Sequence, residues 1–162
     1  MKKTLFVLLA ISSFIFSQVE VGIRSINKVS ENIDVKDVDA FGNVPEYYQI
    51  EFYISNPNND VAGFQFTLIP NEGLNINQTD IYGGYKDKGF EVYSGKNGTI
   101  LGFSLKGDVI PKSNDPHILF IAKADIDYDS LSEIHASNLV IASKQGETVS
   151  ATFMPFQFSN KK

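Results

Sequence analysis

Apolar and polar residues alternate with a period of two along most of the chain, a pattern typical of strands that bury one face. The pattern is clearest at 61–69 and 99–106, which flank the glycine pair Gly83 and Gly84. Clusters of Asn, Asp, Gly, Pro and Ser interrupt the alternation about every ten residues and predict turns. The pattern predicts no helix and the following strands: 19–26, 33–38, 47–55, 61–69, 89–94, 99–106, 117–127, 138–143 and 148–158.

Short strands at this spacing favour an all-β fold, an antiparallel β-sandwich with jelly-roll topology and about nine strands. The tripeptide Lys96-Asn97-Gly98 predicts a hairpin between 89–94 and 99–106, because Asn and Gly tolerate the positive φ of tight turns. One side of each strand supplies a Phe-rich core. The expected core residues are Tyr48, Ile50, Phe52, Ile54, Phe64, Phe66, Leu68, Leu101, Phe103, Leu105, Ile118, Phe120, Ala122, Ala124, Ile126, Leu139 and Ile141.

The first residues combine a basic start at Lys2 and Lys3, an apolar run, and a small residue at Ser17. This arrangement is typical of a secretory signal peptide at 1–17, so we expect cleavage near Ser17 and a secreted product, periplasmic or extracellular. The alternative is a single membrane-spanning helix, but the apolar run is short against the roughly 20 residues that span a bilayer. After cleavage, no membrane insertion of the mature chain is expected. Residues 18–160 then form a single domain.

Charge and cysteine content exclude several classes of function. The chain has 14 basic and 19 acidic residues and a net charge of −5. Nucleic acids and anionic membranes attract clustered Lys and Arg, so neither is an expected partner. No Cys is present, and a chain of this length builds a sufficient core without disulfides.

Residues that could support catalysis or hold a metal are few. Because His117 and His135 are the only histidines, a Ser-His-Asp site or a zinc site is not expected, and neither is an enzyme activity or a cofactor. Asp125, Asp127 and Asp129 alternate as at the start of a calcium loop, but the later Gly and Glu of such a loop are missing. These three are therefore only weak metal candidates, since on a strand they would share one solvated face.

Several segments, taken in order, resemble a cohesin domain, in particular the cohesin-like modules of secreted bacterial proteins. They are the strand 50–56 with Ser-Asn-Pro at its end, Val-Ala-Gly-Phe-Gln-Phe-Thr-Leu-Ile at 61–69, the Gly83 and Gly84 pair, Ile-Leu-Gly-Phe-Ser-Leu-Lys-Gly at 100–107, Ile110-Pro111, and Ile-Leu-Phe-Ile-Ala-Lys-Ala at 118–124. The resemblance covers 19–158. It implies a jelly-roll sandwich related to carbohydrate-binding modules, with one flat sheet face that binds a dockerin module of another protein.

The docking face of that family is built from middle strands that match 61–69, 89–94 and 99–106 here, with a late edge strand in 117–127. Alternation assigns outward positions in these strands without reference to any family. They are Gly63, Gln65, Thr67, Glu91, Tyr93, Ile100, Gly102, Ser104, Leu119 and Ile121. Ile100, Leu119 and Ile121 would form an apolar patch ringed by polar groups, unless a loop or the second sheet covers them.

The resemblance implies a non-catalytic module that binds a dockerin-like protein partner, in an extracellular polysaccharide-degrading or surface complex. One alternative is a carbohydrate-binding module that stacks glycans on exposed tyrosines, above all Tyr82 and Tyr85 beside the glycine pair. Another alternative is a structural subunit of a surface assembly.

Overall fold

The computed structural model describes residues 18–30, 46–70, 72–127 and 130–158. The expected signal peptide at 1–17 and the predicted strand at 33–38 lie outside the described residues. Within these ranges the chain forms β1 (Val19–Ser30), β2 (Glu46–Asn56), β3 (Val61–Ile69), β4 (Leu74–Tyr82), β5 (Glu91–Ser94), β6 (Thr99–Phe103), β7 (Ser113–Ile126), β8 (Glu133–Ser143), β9 (Thr148–Val149), β10 (Ala151–Met154) and β11 (Phe156–Gln157). The same ranges contain no helix, and so none that could cross a membrane.

The strands form two sheets packed face to face. The first sheet has the order β10-β1-β2-β7-β4, and the second has the order β11-β8-β3-β6-β5, with β9 paired to β8. Neighbouring strands are antiparallel except β1 and β10, which run parallel. The predicted β-sandwich with jelly-roll topology is therefore confirmed.

Phenylalanine rings fill the space between the two sheets. Phe52 and Phe120 of the first sheet stack with 4.5 Å between ring centroids, and Phe64 of the second sheet stacks on Phe120 at 6.1 Å. Phe66 and Phe90 extend the cluster, and all five rings are at most 2% exposed. Because a buried phenylalanine contributes about 1.5–3 kcal/mol, this cluster is a major source of cohesion between the sheets.

The alternation of β6 is shifted by one residue from the predicted one. Ile100 and Gly102 face the core, whereas Leu101 is 38% exposed. Gly102 is the reason: a Cβ atom at this position would lie 2.0 Å from Cζ of Phe64, so the glycine makes room for that ring. The assignment of Leu101 and Phe103 to the core was therefore wrong.

A β-bulge changes the orientation of residues in β7. The register between β2 and β7 shifts at Leu119, because its neighbours Ile118 and Phe120 face adjacent residues of β2. The extra residue turns into the core, where Leu119 is fully buried. The outward position expected for Leu119 was wrong for this reason.

Strand β4 was not predicted from the sequence. Its pairing with β7 is interrupted between Ile76 and Ile81, so the residues between them bulge away from the first sheet. In this bulge the side chain of Gln78 reaches the edge of the second sheet and hydrogen-bonds to β5. The bulge breaks the period of two, which is why alternation did not indicate a strand here.

Candidate functional site

The outer face of the second sheet presents rows of side chains that run across β8, β3, β6 and β5. The rows follow the cross-strand register of these strands. They are Ala142, Gly63, Phe103 and Glu91; then Val140, Gln65, Leu101 and Tyr93; then Ser137, Thr67 and Thr99. We call this surface, defined by these residues, the second-sheet face.

Exposed apolar side chains are concentrated at this surface. Val140 is 42% exposed, Leu101 38% and Tyr93 45%, and all three belong to the middle row. Leu105, in the turn after β6, is 79% exposed, so its expected place in the core was wrong. Among the described residues, the remaining exposed large apolar side chain is Met154, on β10 of the first sheet.

An aromatic pair stiffens one side of the second-sheet face. Tyr93 of β5 stacks on Phe103 of β6 with 6.0 Å between ring centroids. Aromatic rings provide large contact areas at a low cost in side-chain entropy, which is why they are enriched in the centres of interfaces. The pair therefore gives a fixed apolar contact area next to Leu101.

The second-sheet face carries little net charge. Glu91 is the one charged residue in its rows, and Lys86 pairs with it at 3.1 Å. In the third row the hydroxyl groups of Thr67 and Thr99 are hydrogen-bonded at 3.0 Å. A surface of this composition fits a partner through shape and apolar contact rather than through long-range charge.

The outer face of the first sheet differs because polar pairs cover it. Arg24 and Glu51 form an ion pair at 3.1 Å, and the Tyr53 hydroxyl donates to Glu20 at 2.6 Å. Burial, with a smaller contribution from the hydrogen bond and charge of Glu20, raises the pKa of Tyr53 above its ordinary value. The phenol is thus held as a protonated donor, and the two outer faces of the sandwich are chemically distinct.

Half of the expected partner-binding residues lie on the second-sheet face. They belong to β3 and β5, where the predicted alternation matches the observed one: Gly63, Gln65, Thr67, Glu91 and Tyr93.

The other five expected partner-binding residues do not lie on the second-sheet face. Ile100 and Gly102 are buried because Gly102 faces the Phe64 ring, which sets the orientation of β6. Leu119 is buried because of the bulge in β7. Ser104 lies past the end of β6, where its hydroxyl group hydrogen-bonds within the following turn. Ile121 is on the outer face of the first sheet, since β7 is a strand of that sheet. The expected edge strand of the face in 117–127 was therefore wrong, and β8 takes its place beside β3.

Alternation missed the apolar residues of the second-sheet face: Leu101, Phe103, Val140 and the neighbouring Leu105. The segment 99–106 has apolar residues on both faces of the strand, so the sequence does not indicate which face is buried. The useful signal was Gly102, because a glycine between large apolar residues often marks a close approach of another group.

The metal candidates do not form a site in the described residues. Asp125 and Asp127 are exposed, and Asp129 lies outside the described residues. The part of the chain that the structure describes contains no group of three or more His, Cys, Asp or Glu residues placed to hold a metal ion.

The two tyrosines expected to stack glycans have different surroundings. Tyr85 is only 5% exposed, its backbone N–H donates to the carbonyl of Leu119 at 2.9 Å, and its ring packs on Phe90 and His117. The prediction that Tyr85 stacks glycans was therefore wrong, because its ring is buried at one end of the core. Tyr82 is half-buried on the outer face of the first sheet.

Comparison with solved structures identifies the fold. A non-cellulosomal cohesin from Archaeoglobus fulgidus superposes with a TM-score of 0.52 at 13% identity, covering 86% of this chain and 88% of that chain. The third ScaB cohesin of R. flavefaciens, in complex with a group 1 dockerin, gives a TM-score of 0.51 at 12% identity, covering 89% and 96%. The fold is cohesin-like.

A type I cohesin–dockerin complex from Clostridium thermocellum has the same cohesin-like fold, with a TM-score of 0.50, 9% identity and coverage of 85% and 90%. No family model matches the chain, and no curated protein matches it. The resemblance to cohesins inferred from the sequence is thus confirmed at the level of the fold.

Proposed function

We propose that this protein is a docking module that binds a dockerin-type module of another protein through the second-sheet face. The observation that carries the proposal is the concentration of exposed apolar side chains on and beside this one surface, with Leu101 between Gln65 and Tyr93 in the middle row. The cohesin-like fold supports the class of partner, since two of the similar cohesins are described in complexes with dockerins.

The arrangement of this surface suits a protein partner. An apolar centre surrounded by small and hydroxyl-bearing residues lets a partner exclude water from the middle of the contact. Leu101 is the expected anchor, because neighbouring strands flank it on both sides. Tyr93 and Val140 extend the contact toward the two sides of the sheet.

The proposed role is non-catalytic, needs no cofactor, and belongs to an exported protein. It places the chain as a subunit that brings a dockerin-bearing protein into an extracellular polysaccharide-degrading or surface complex. The signal-peptide pattern at 1–17 supports the export part of the proposal.

The proposal is tested by titrating the protein against a panel of purified dockerin modules in a calorimeter. We expect at least one module to bind, and Leu101→Glu to weaken that binding by about 30-fold or more, because a charge would be buried at the centre of the contact. Met154→Glu is the matched control, since Met154 is 42% exposed but lies on β10 of the first sheet. Failure of every module to bind, or equal binding by Leu101→Glu and the wild type, would contradict the proposal.

A further inference from the structure

The outer face of the first sheet carries a tyrosine that packs against the neighbouring strand. Tyr53 is on β2, and a Cβ atom at Gly22 of β1 would come within 2.8 Å of its Cε1 atom and 3.0 Å of its hydroxyl oxygen. The hydroxyl group donates to Glu20 of β1 at 2.6 Å. The edge of the ring between Cε1 and the hydroxyl group is therefore held against Gly22, and the side chain is half-buried.

A second tyrosine leans across the same face. Tyr82 belongs to β4 and its hydroxyl group is hydrogen-bonded to the side-chain amide of Gln49 on β2, while β7 lies between these two strands. Neighbouring strands are about 4.8 Å apart, so this contact spans roughly 10 Å from backbone to backbone. Such a span requires the Tyr82 ring to lie across β7 instead of projecting into solvent.

The two rings form a platform on the outer face of the first sheet. Tyr53 leans toward β1 and Tyr82 leans over β7, on either side of β2. Tyr82 is in register with Glu51, two residues from Tyr53, so the rings are separated by more than two strand spacings, roughly 10–15 Å. Both side chains are half-buried, as expected for rings with one covered and one open side. Aromatic faces carry negative charge density and attract the partly positive C–H groups of sugar rings.

Two cationic side chains near the platform have partners within the face. Arg24 pairs with Glu51 at 3.1 Å, and the ammonium group of Lys123 lies 4.3 Å above the centre of the Tyr47 ring. The carboxylate of Glu20, which accepts from the Tyr53 hydroxyl group, adds a negative charge beside that ring and would repel an anionic ligand. The planar polar groups of Arg24, Glu51 and Gln49 remain suited to hydrogen bonds with hydroxyl groups.

From this arrangement we propose that the outer face of the first sheet binds an uncharged polysaccharide, with sugar rings stacked on Tyr53 and Tyr82. The site is separate from the second-sheet face and does not depend on the proposed docking function. It uses Tyr82, which the sequence indicated, and replaces the buried Tyr85 with Tyr53.

The test measures depletion of the full chain from solution by insoluble cellulose, chitin, xylan and mannan. We expect retention on at least one of these, and a tenfold or greater loss of affinity in Tyr53→Ala and in Tyr82→Ala. Tyr93→Ala is the matched control, because Tyr93 is an exposed tyrosine on the opposite sheet, and it should bind as the wild type does.

A second measurement guards against loss of fold in the alanine variants. Tyr82→Phe keeps the ring and removes only the hydroxyl group, so it should retain most of the binding. Soluble oligosaccharides of the retained polysaccharide should raise the Tm of the wild type and leave that of Tyr82→Ala unchanged. The proposal is overturned if none of the four polysaccharides retains the wild type, if retention survives both alanine substitutions, or if only an anionic polysaccharide such as alginate is bound.

Discussion

The side-chain amide of Gln78 bonds to Val92 as a peptide group of a neighbouring strand would. Its Nε2 atom donates to the Val92 carbonyl at 2.9 Å, and its Oε1 atom accepts from the backbone N–H of Ser94. The Val92 carbonyl and the Ser94 N–H of β5 point away from β6. Both therefore find their hydrogen-bond partner in a side chain from the first sheet. The contact covers the open edge of the second sheet, which would otherwise present unpaired backbone groups.

We expect Gln78→Ala to lower the free energy of unfolding by about 1–3 kcal/mol, because two hydrogen bonds are lost at one edge. Chemical denaturation measures this change. Gln145→Ala is the control: the Gln145 side chain is exposed in a turn, so its loss should change stability by less than about 0.5 kcal/mol. The uncovered edge of β5 should also promote pairing between copies of the variant at high protein concentration, which sedimentation measures. A variant that is monomeric and as stable as the wild type would refute this role of Gln78.

Gly102→Ala should destabilise the protein by about 3 kcal/mol or more, because the new Cβ atom would overlap the buried Phe64 ring. Thermal unfolding followed by circular dichroism measures the loss. For comparison, Gly146→Ala places its Cβ atom in open space and carries only the cost of a positive φ of 81°, about 1 kcal/mol. An effect of Gly102→Ala no larger than that of Gly146→Ala would show that Phe64 adapts easily.

Asn56 ties the turn after β2 to the segment before β7. It is fully buried, and its Nδ2 atom donates to the carbonyls of Asn59 at 2.8 Å and Pro111 at 3.1 Å. We expect Asn56→Asp to be more destabilising than Asn56→Ala, because a buried carboxylate facing carbonyl oxygens is repelled as well as desolvated. Unfolding in urea at neutral pH ranks the two variants; the reverse order would contradict the assigned orientation of the amide.

His117 has a buried Nε2 atom without a hydrogen-bond partner among the described residues, while its ring meets Tyr85 edge-on at 5.6 Å between centroids. His117→Phe keeps the aromatic contact and removes the unsatisfied nitrogen. The free energy of unfolding should therefore stay the same or rise by about 1 kcal/mol. A loss of stability measured by urea denaturation would indicate that the nitrogen has a partner in solution.

Stability should fall at alkaline pH through Tyr53. Its pKa is raised in the folded state, so the protonated phenol favours folding below the unfolded pKa of about 10, and this contribution is lost as pH rises through the folded value. Alkaline absorbance titration, with Tyr53→Phe to assign the signal, measures the pKa. Glu20→Gln should lower it only partly, because burial is the larger cause; a return to the ordinary value would make Glu20 the main cause.

Much of the fold followed from strand alternation. The bounds of β3 were predicted to the residue, since Phe64, Phe66 and Leu68 alternate with small or polar residues. Where its pairing with β8 shifts in the middle of the strand, the extra residue is on β8. The sandwich class followed from the spacing of such strands and turns. These features depend on local sequence, which a single chain contains in full.

The candidate surface was only partly predictable because its orientation depends on distant contacts. The inward position of Gly102 is set by the ring of Phe64, which lies on the adjacent strand β3. The place of Ile121 is set by the sheet to which β7 belongs, and alternation within a strand carries no information about its sheet. The Gln78 contact likewise joins two sheets through a bulge that the period of two cannot reveal.

The parallel pairing of β1 with β10 has a mechanical consequence. The two strands run in the same direction from Val19 opposite Ala151 to Gly22 opposite Met154. Tension that pulls residue 18 away from residue 158 would slide these strands along each other and load all their hydrogen bonds together. In this shear geometry the hydrogen bonds would break together and not one after another, so the paired strands should resist such tension.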